Sequence, residues 1–301
     1  MLQQDLTVQR LANKYNVAGY KASGVFMRKE KINGFDCFYR YVEKDKSFPT
    51  VVFLNGIMSP KGSWLQQVAL LEKKNYNYLL FEYRGQWNSE VTPEKHYSMA
   101  LHAEDLKQLL DKEGITRVHM VGTSYGGFVA IKFAVTYSDI VDSIQIYTSA
   151  AVVDERSRKV LEEWRDKALS KQAEVLYNSM VQVIFSESYI KNNEADLNQR
   201  VELLKNICND PFFEGQAKLN ETGLNDLTGN GLLDELSQIR CPVLVIAASE
   251  DKLYPPECSE IIAENIPNSQ YLIVPDCGHA LLVEKPEVVN IIMIGFLESL
   301  L

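Results

Sequence analysis

Six short segments of the chain are apolar almost without interruption: Thr50 to Asn55, Tyr78 to Tyr83, Arg117 to Val121, Ser143 to Tyr147, Val243 to Ala247 and Gln270 to Val274. Runs of this length and composition read as strands buried on both faces, as in a parallel sheet covered by helices. Between them the apolar positions take helical spacing, near Trp64 to Lys74, Met99 to Lys112, Tyr125 to Tyr137, Pro256 to Asn265 and Val288 to Leu300. This alternation predicts an α/β fold: a mostly parallel central sheet flanked by helices, with right-handed crossovers. Ahead of it, two stretches rich in β-branched and aromatic residues between Gly24 and Glu43 flank Asn33-Gly34, a dipeptide favoured in type I′ turns. An antiparallel hairpin at the sheet edge follows. Leu6, Val8, Leu11 and Ala12 space as on a helix, so residues from about 1–22 read as a helical arm on the outside of the body.

The rhythm breaks once. From Val152 to about Gln238 no buried strand is evident, while charged, helix-compatible stretches run through Arg156 to Leu169, Gln172 to Phe185 and Leu197 to Ile207. The expected organisation is therefore a core of residues 1–151 and 239–301 with an inserted helical lid over 152–238. A chain of 301 residues can hold one such core plus an insert.

Composition narrows the function classes. A net charge of −9 argues against nucleic acid as a partner, because phosphate binders carry clustered Lys and Arg in excess. No apolar run reaches the roughly 18 residues of a membrane span. Five scattered cysteines without a C-x-x-C pair indicate neither a disulfide framework nor a zinc site, so no metal is expected. The N-terminus lacks a basic stretch leading into an apolar one, and the expected location is the cytoplasm.

The decisive stretch is Val118 to Ala130, where an apolar strand runs into Gly122-Thr123-Ser124-Tyr125-Gly126 and then a helix. G-x-S-x-G in that context is a nucleophile elbow, in which small residues let neighbouring backbones approach a strained serine. A neutral serine needs a base, and the base an orienting carboxylate. His279 follows the last expected strand, on the edge where ligands of open α/β sheets collect. His96, His102 and His119 read as structural. Asp251 follows the strand ending near Ala247 and completes the order Ser, Asp, His, with Glu250 as nearest competitor and Asp276 as a more distant one. The candidate oxyanion donors are the N–H of Tyr125, at the helix start, and of Ile57, in the loop after the Thr50 strand.

With these residues in hand, the chain resembles the α/β-hydrolase superfamily from Gly24 to Leu301, in particular its lid-bearing serine esterases and lactonases. Arg84-Gly85-Gln86-Trp87-Asn88-Ser89 is similar to the family's R-G-x-G-x-S loop, and His279 followed by Glu284-Lys285-Pro286 to its G-H-x(4)-E-x-P ending. Three departures stand out: Asn55 where relatives usually have His, Trp87 in place of glycine, and Glu82 where Asp is common. The resemblance implies hydrolysis of a carboxylic ester, thioester or lactone through an acyl-enzyme on Ser124, without any cofactor. The alternatives are acyl transfer or C–C lyase or synthase chemistry by the same triad, or a ligand-binding protein on this scaffold. Trp164, Tyr177, Met180 and Phe185 are the candidate substrate-binding residues, with Leu176, Val183, Ile184, Phe212 and Phe213 as further apolar candidates. Arg156, Arg158, Lys159, Arg165 and Lys167 make one lid helix basic. A solvated face is the plain reading; the sharper one is a seat for a substrate carboxylate or a carrier-linked acyl ester, as in the family's pimeloyl-carrier methyl ester esterases.

Overall fold

The computed structural model describes residues 27–300, so the expected arm over residues 1–22 lies outside them. Eight strands form one sheet: β1 (Arg28–Ile32), β2 (Phe35–Val42), β3 (Thr50–Leu54), β4 (Asn77–Phe81), β5 (Val118–Thr123), β6 (Val141–Tyr147), β7 (Val243–Ala248) and β8 (Ser269–Val274). Their spatial order is β1-β2-β4-β3-β5-β6-β7-β8. The first two pairings are antiparallel and the others parallel. The hairpin turns on Asn33 and Gly34, with φ of 45° and 81°, the double positive φ that a type I′ turn requires.

Side chains alternate across the central strands. Val52 and Leu54 of β3 join one apolar cluster, whereas Val51 and Phe53 join another on the opposite face. Each fully buried side chain of this kind stabilises the fold by about 1.5–3 kcal/mol. The faces are covered by α1 (Leu65–Leu71), α2 (Met99–Glu113) and α3 (Tyr125–Thr136), and later in the chain by three more helices over Pro256–Asn265, Leu281–Glu284 and Pro286–Glu298. Ser98 caps α2 by accepting from Leu101 N at 3.0 Å, and Gly114 ends it at φ 71°. No helix among the described residues is long and apolar enough to cross a membrane.

One strand departs from expectation. β8 is not buried on both faces: it is the sheet edge, and Leu272 and Ile273 are 43% and 51% exposed. An apolar run reports strand propensity but not the number of neighbours.

Between β6 and β7 the chain forms α4 (Glu155–Leu169), α5 (Ala173–Ile184), α6 (Glu187–Asn192), α7 (Glu194–Ile207) and α8 (Asp210–Asp226). The insert leaves and re-enters the core at one place, where Val153 N donates to Leu227 O and Leu232 N to Ala151 O. Its first helix buries Ser157, Leu161, Trp164 and Ala168, one stripe at helical spacing. The long helix α8 was not evident from the sequence. Its buried face includes Gln216, Asn220 and Thr222 as well as Phe212 and Leu219, so polar residues interrupt the apolar period. This helix is stitched to the core: Thr222 Oγ1 accepts from Tyr97 N at 3.0 Å, and Asp226 Oδ2 accepts from Met99 N at 2.6 Å.

Candidate active site

The site grows from the end of β5. Ser124 sits between that strand and α3 with φ 53° and ψ −118°, a left-handed conformation that costs a non-glycine residue on the order of 1–3 kcal/mol. The surroundings hold it there. Ser124 N donates to Tyr147 O at 2.9 Å, and Ser149 Oγ donates to Ser124 O at 2.9 Å. The two flanking glycines are explained by space: a Cβ on Gly122 would lie 2.4 Å from Gly126 O, and one on Gly126 2.1 Å from Leu54 O. Ser124 is partly exposed while the residues around it are buried.

His279 follows β8 and is buried, with its Nδ1 2.8 Å from Asp251 Oδ2. The Asp251 side chain is wholly buried, and its Oδ1 accepts from Leu253 N and Tyr254 N, both at 2.9 Å. A carboxylate fixed by two amides and a ring nitrogen can hold an imidazole in one tautomer and orientation. The competitors Glu250 and Asp276 are both exposed. Cys277, two residues before His279, has its thiol pushed up to about 12 by burial and by the Glu284 charge, so it is not a rival nucleophile. His119 bonds Ser143 Oγ through Nδ1 at 2.8 Å. His102 is buried beneath the site, with its Nε2 2.9 Å from Tyr125 Oη. Burial, helped by the Arg84 charge, lowers its pKa to about 3, so it stays neutral.

The loop after β3 approaches the serine closely, since a Cβ on Gly56 would lie 3.3 Å from Ser124 Cβ. Asn55 braces this loop. Its Nδ2 donates to Phe81 O and Gln86 Oε1 at 3.1 and 3.2 Å, and its Oδ1 accepts from Trp64 Nε1 at 2.8 Å. Gln86 in turn donates to Gly56 O at 2.9 Å, Trp87 Nε1 to Met58 O at 3.2 Å, and Met58 N to Gln216 Oε1 at 3.2 Å. Ser59 N is taken by Gly56 O. The Ile57 amide makes no hydrogen bond among the described residues, which leaves it available to a ligand. Trp87 has φ 48°, which explains why a glycine suits this position; its ring lies tilted against that of Phe212, with centroids 4.8 Å apart.

Ser124, His279, Ile57 and Tyr125 line one cavity of about 400 Å³ between the sheet and the insert. The four expected substrate-binding residues, Trp164, Tyr177, Met180 and Phe185, line it too, as does Ile184. Leu176, Val183, Phe212 and Phe213 do not; they pack within the larger apolar cluster. Arg200 also lines the cavity and had no sequence signal beyond its i+4 spacing from Asp196. The basic face of α4 takes no part. Arg156, Arg158, Lys159, Arg165 and Lys167 are each ion-paired with a nearby carboxylate, and none lines the cavity; the carrier-linked reading draws no support from them.

The His279 loop rests on the insert. Glu284 Oε1 accepts from Ser186 N and Gly278 N at 2.9 and 3.1 Å, Glu284 Oε2 accepts from Ser186 Oγ at 2.6 Å, and Ala280 N donates to Ile184 O at 2.7 Å. These bonds give the spacing from His279 to Glu284 a physical meaning.

Comparison with known proteins places this geometry in context. Residues 49–286 match the family model described as the alpha/beta hydrolase fold. A protein of Shigella flexneri named for a proposed carbamate hydrolase activity, RutD, is 28% identical over 253 residues, covering 84% of this chain and 92% of that protein. Among solved structures, the enol-lactonase from Burkholderia xenovorans LB400 superposes with a TM-score of 0.80 at 23% identity, covering 90% of this chain and 100% of the other. A thermophilic esterase from Thermogutta terrifontis does so at 0.76 and 22% identity, covering 91% and 99%.

Proposed function

Because the chain belongs to the α/β-hydrolase fold family, we propose that it is a serine hydrolase cleaving a carboxylic ester, lactone or thioester through an acyl-enzyme on Ser124. The observation that carries this reading is the convergence on one cavity of Ser124, raised on its strained elbow, and of His279, bound through Nδ1 to the buried Asp251.

In the proposed course, Ser124 Oγ attacks the carbonyl carbon as its proton passes to His279 Nε2. Asp251 stabilises the resulting imidazolium while remaining ionised. The N–H groups of Tyr125 and Ile57 receive the oxyanion. Collapse of the tetrahedral intermediate expels the alcohol, which takes the proton from His279. Water, deprotonated by the same imidazole, then attacks the acyl-enzyme, and a second collapse releases the acid and restores Ser124. The five helices of the insert act as a lid, excluding bulk water and setting the shape of the acyl or alcohol subsite.

The test is steady-state hydrolysis of a p-nitrophenyl ester series from short to long acyl chains, with native protein and Ser124→Ala side by side. A phenyl carbamate is included because of the likeness to RutD. Turnover by the native protein that vanishes in the variant supports the reading, and the chain-length optimum sizes the cavity. Equal rates from the two proteins would overturn it.

A further inference from the structure

The long helix α8 contains two glycines, and a glycine inside a helix destabilises it relative to alanine. Gly215 has its reason in the backbone of Gly85, which leaves no room for a Cβ. Gly223 has no such reason. Its φ is not positive, and no backbone outside its own helix approaches it. A Cβ there would meet a single atom within 4 Å, Leu161 Cδ1 at 3.3 Å, the mobile end of a side chain. Gly223 is nevertheless buried, and it lines the cavity that holds Ser124 and His279. The space that a side chain at 223 would take is therefore cavity.

That space is the closed end. The open side of the cavity is formed by Ser59, Pro60, Ser63 and Val283, all partly exposed, whereas Leu161 and Trp164 on α4 and Gly223 on α8 are buried. Val283 N donates to Ala280 O, so the open side adjoins the imidazole of His279. Thr222, beside Gly223, accepts from Tyr97 N, and Tyr97 belongs to the ring layer beneath Tyr125. The closed end thus lies toward the helix that carries the serine. In the proposed course the alcohol takes its proton from His279 and departs on the imidazole side, while the acyl group stays on Ser124. Its chain is then left to run toward Leu161 and Gly223. Those walls are apolar, and Arg200, the lining residue with a permanent charge, is already held by Asp196 at 3.2 Å and by the Tyr177 hydroxyl.

We infer that Gly223 is a specificity-determining residue: by lacking a side chain it sets the depth of the acyl pocket, and the substrate is the ester of a straight, uncharged acyl chain whose far end lies against Gly223 and Leu161. The inference rests on the ester-hydrolase reading above and gives it a substrate class. Gly223 touches the chain remote from the scissile bond and takes no part in bond making.

The test is the chain-length profile of two ester series in native protein, Gly223→Ala and Gly223→Leu. In the acyl series, p-nitrophenyl esters from acetate to decanoate, native kcat/KM is expected to rise to an optimum with chain length. Gly223→Ala should move that optimum to a shorter chain. Gly223→Leu should lower kcat/KM for the native optimum, relative to acetate, by about tenfold or more. Leu161→Ala, which opens the same end from the facing helix, should move the optimum to a longer chain. In the alcohol series, acetates from methyl to decyl, the ranking should be the same in all of these proteins. Calorimetric binding of methyl alkanoates to Ser124→Ala, with and without Gly223→Leu, reads chain length independently of turnover. Acyl profiles that coincide in native protein and both Gly223 variants overturn the inference, as does a shift confined to the alcohol series. Chain-length-dependent binding that Gly223→Leu cuts short, without turnover of any ester by native protein, would instead count against the ester-hydrolase reading and leave the closed end standing.

Discussion

At the scale of single residues, the site depends on a few groups held by their backbone surroundings. Asp251 is the clearest: its two oxygens are divided between the amides of Leu253 and Tyr254 and the ring of His279. Asp251→Asn keeps an oxygen for the amides but disturbs the tautomer of the imidazole. The expected result is a kcat lower by about 10⁴-fold with little change in melting temperature; a variant within tenfold of native would remove Asp251 from the proposed triad. Asn55 is a second case. Asn55→Ala deprives Trp64 Nε1 of its acceptor and Gln86 of a donor, so unfolding in urea should show a loss of about 1–3 kcal/mol. Because Gln86 also holds Gly56 O, kcat should fall while KM changes little; an unaltered kcat would show that Asn55 does not support the proposed oxyanion donors. Ser124 and His279 were legible because each lies in a local pattern that the chemistry itself imposes. Asp251 was favoured in the sequence over its neighbour Glu250; in the structure Asp251 is buried and bonded to His279 Nδ1, whereas Glu250 is exposed. Arg200 left no trace in the sequence, where an i,i+4 pair with Asp196 reads as an ordinary solvated helix face.

At the scale of elements, legibility followed the regularity of the apolar pattern. The central parallel strands were readable to within a few residues as short unbroken apolar runs, and the core helices by their apolar period. Helix α8 was not, since Gln216 reaches out to Met58 N and Thr222 to Tyr97 N, placing polar residues on the inward face. That helix approaches the core as closely as backbones allow: a Cβ on Gly215 would lie 1.8 Å from Gly85 O. Gly215→Ala should therefore push α8 away from the 84–89 loop. We expect a loss of stability of about 1–3 kcal/mol by urea denaturation, together with a lower kcat, because Gln216 and the Trp87–Phe212 ring contact move with the helix. A fully active, equally stable variant would show that this close approach is not needed. The insert and the His279 loop are joined by Glu284. Glu284→Ala removes the shared acceptor of Ser186 and Gly278, so kcat should fall. Glu284→Gln, which keeps one carbonyl oxygen for the two amides, should recover much of it. Equal rates for the two variants would reduce Glu284 to a bystander.

At the scale of the whole molecule, the arrangement sets how stability depends on pH. His102 lies on α2, packed among Tyr83, Tyr97 and Tyr125 beneath the elbow, where burial disfavours a charge. Its folded pKa, lowered to about 3 by burial and by Arg84, lies below the ordinary histidine value of about 6.5 in the unfolded chain. Between those two values the unfolded chain binds a proton that the folded protein does not, so stability rises with pH through that window and is lost as pH falls from about 6.5 toward 3. His119, lowered by burial as well, acts with the same sign. Replacing His102 by Gln leaves an amide within reach of Tyr125 Oη and removes one of these protons. Urea unfolding measured at several pH values should then give a native stability that falls between pH 6 and 4 more steeply than that of His102→Gln, by up to about 1.4 kcal/mol per pH unit. Because His119 and every carboxylate are common to both proteins, the difference in slope isolates His102. Parallel curves would mean that His102 gains its proton in the folded state, and that the layer of rings under Ser124 is open to water rather than sealed.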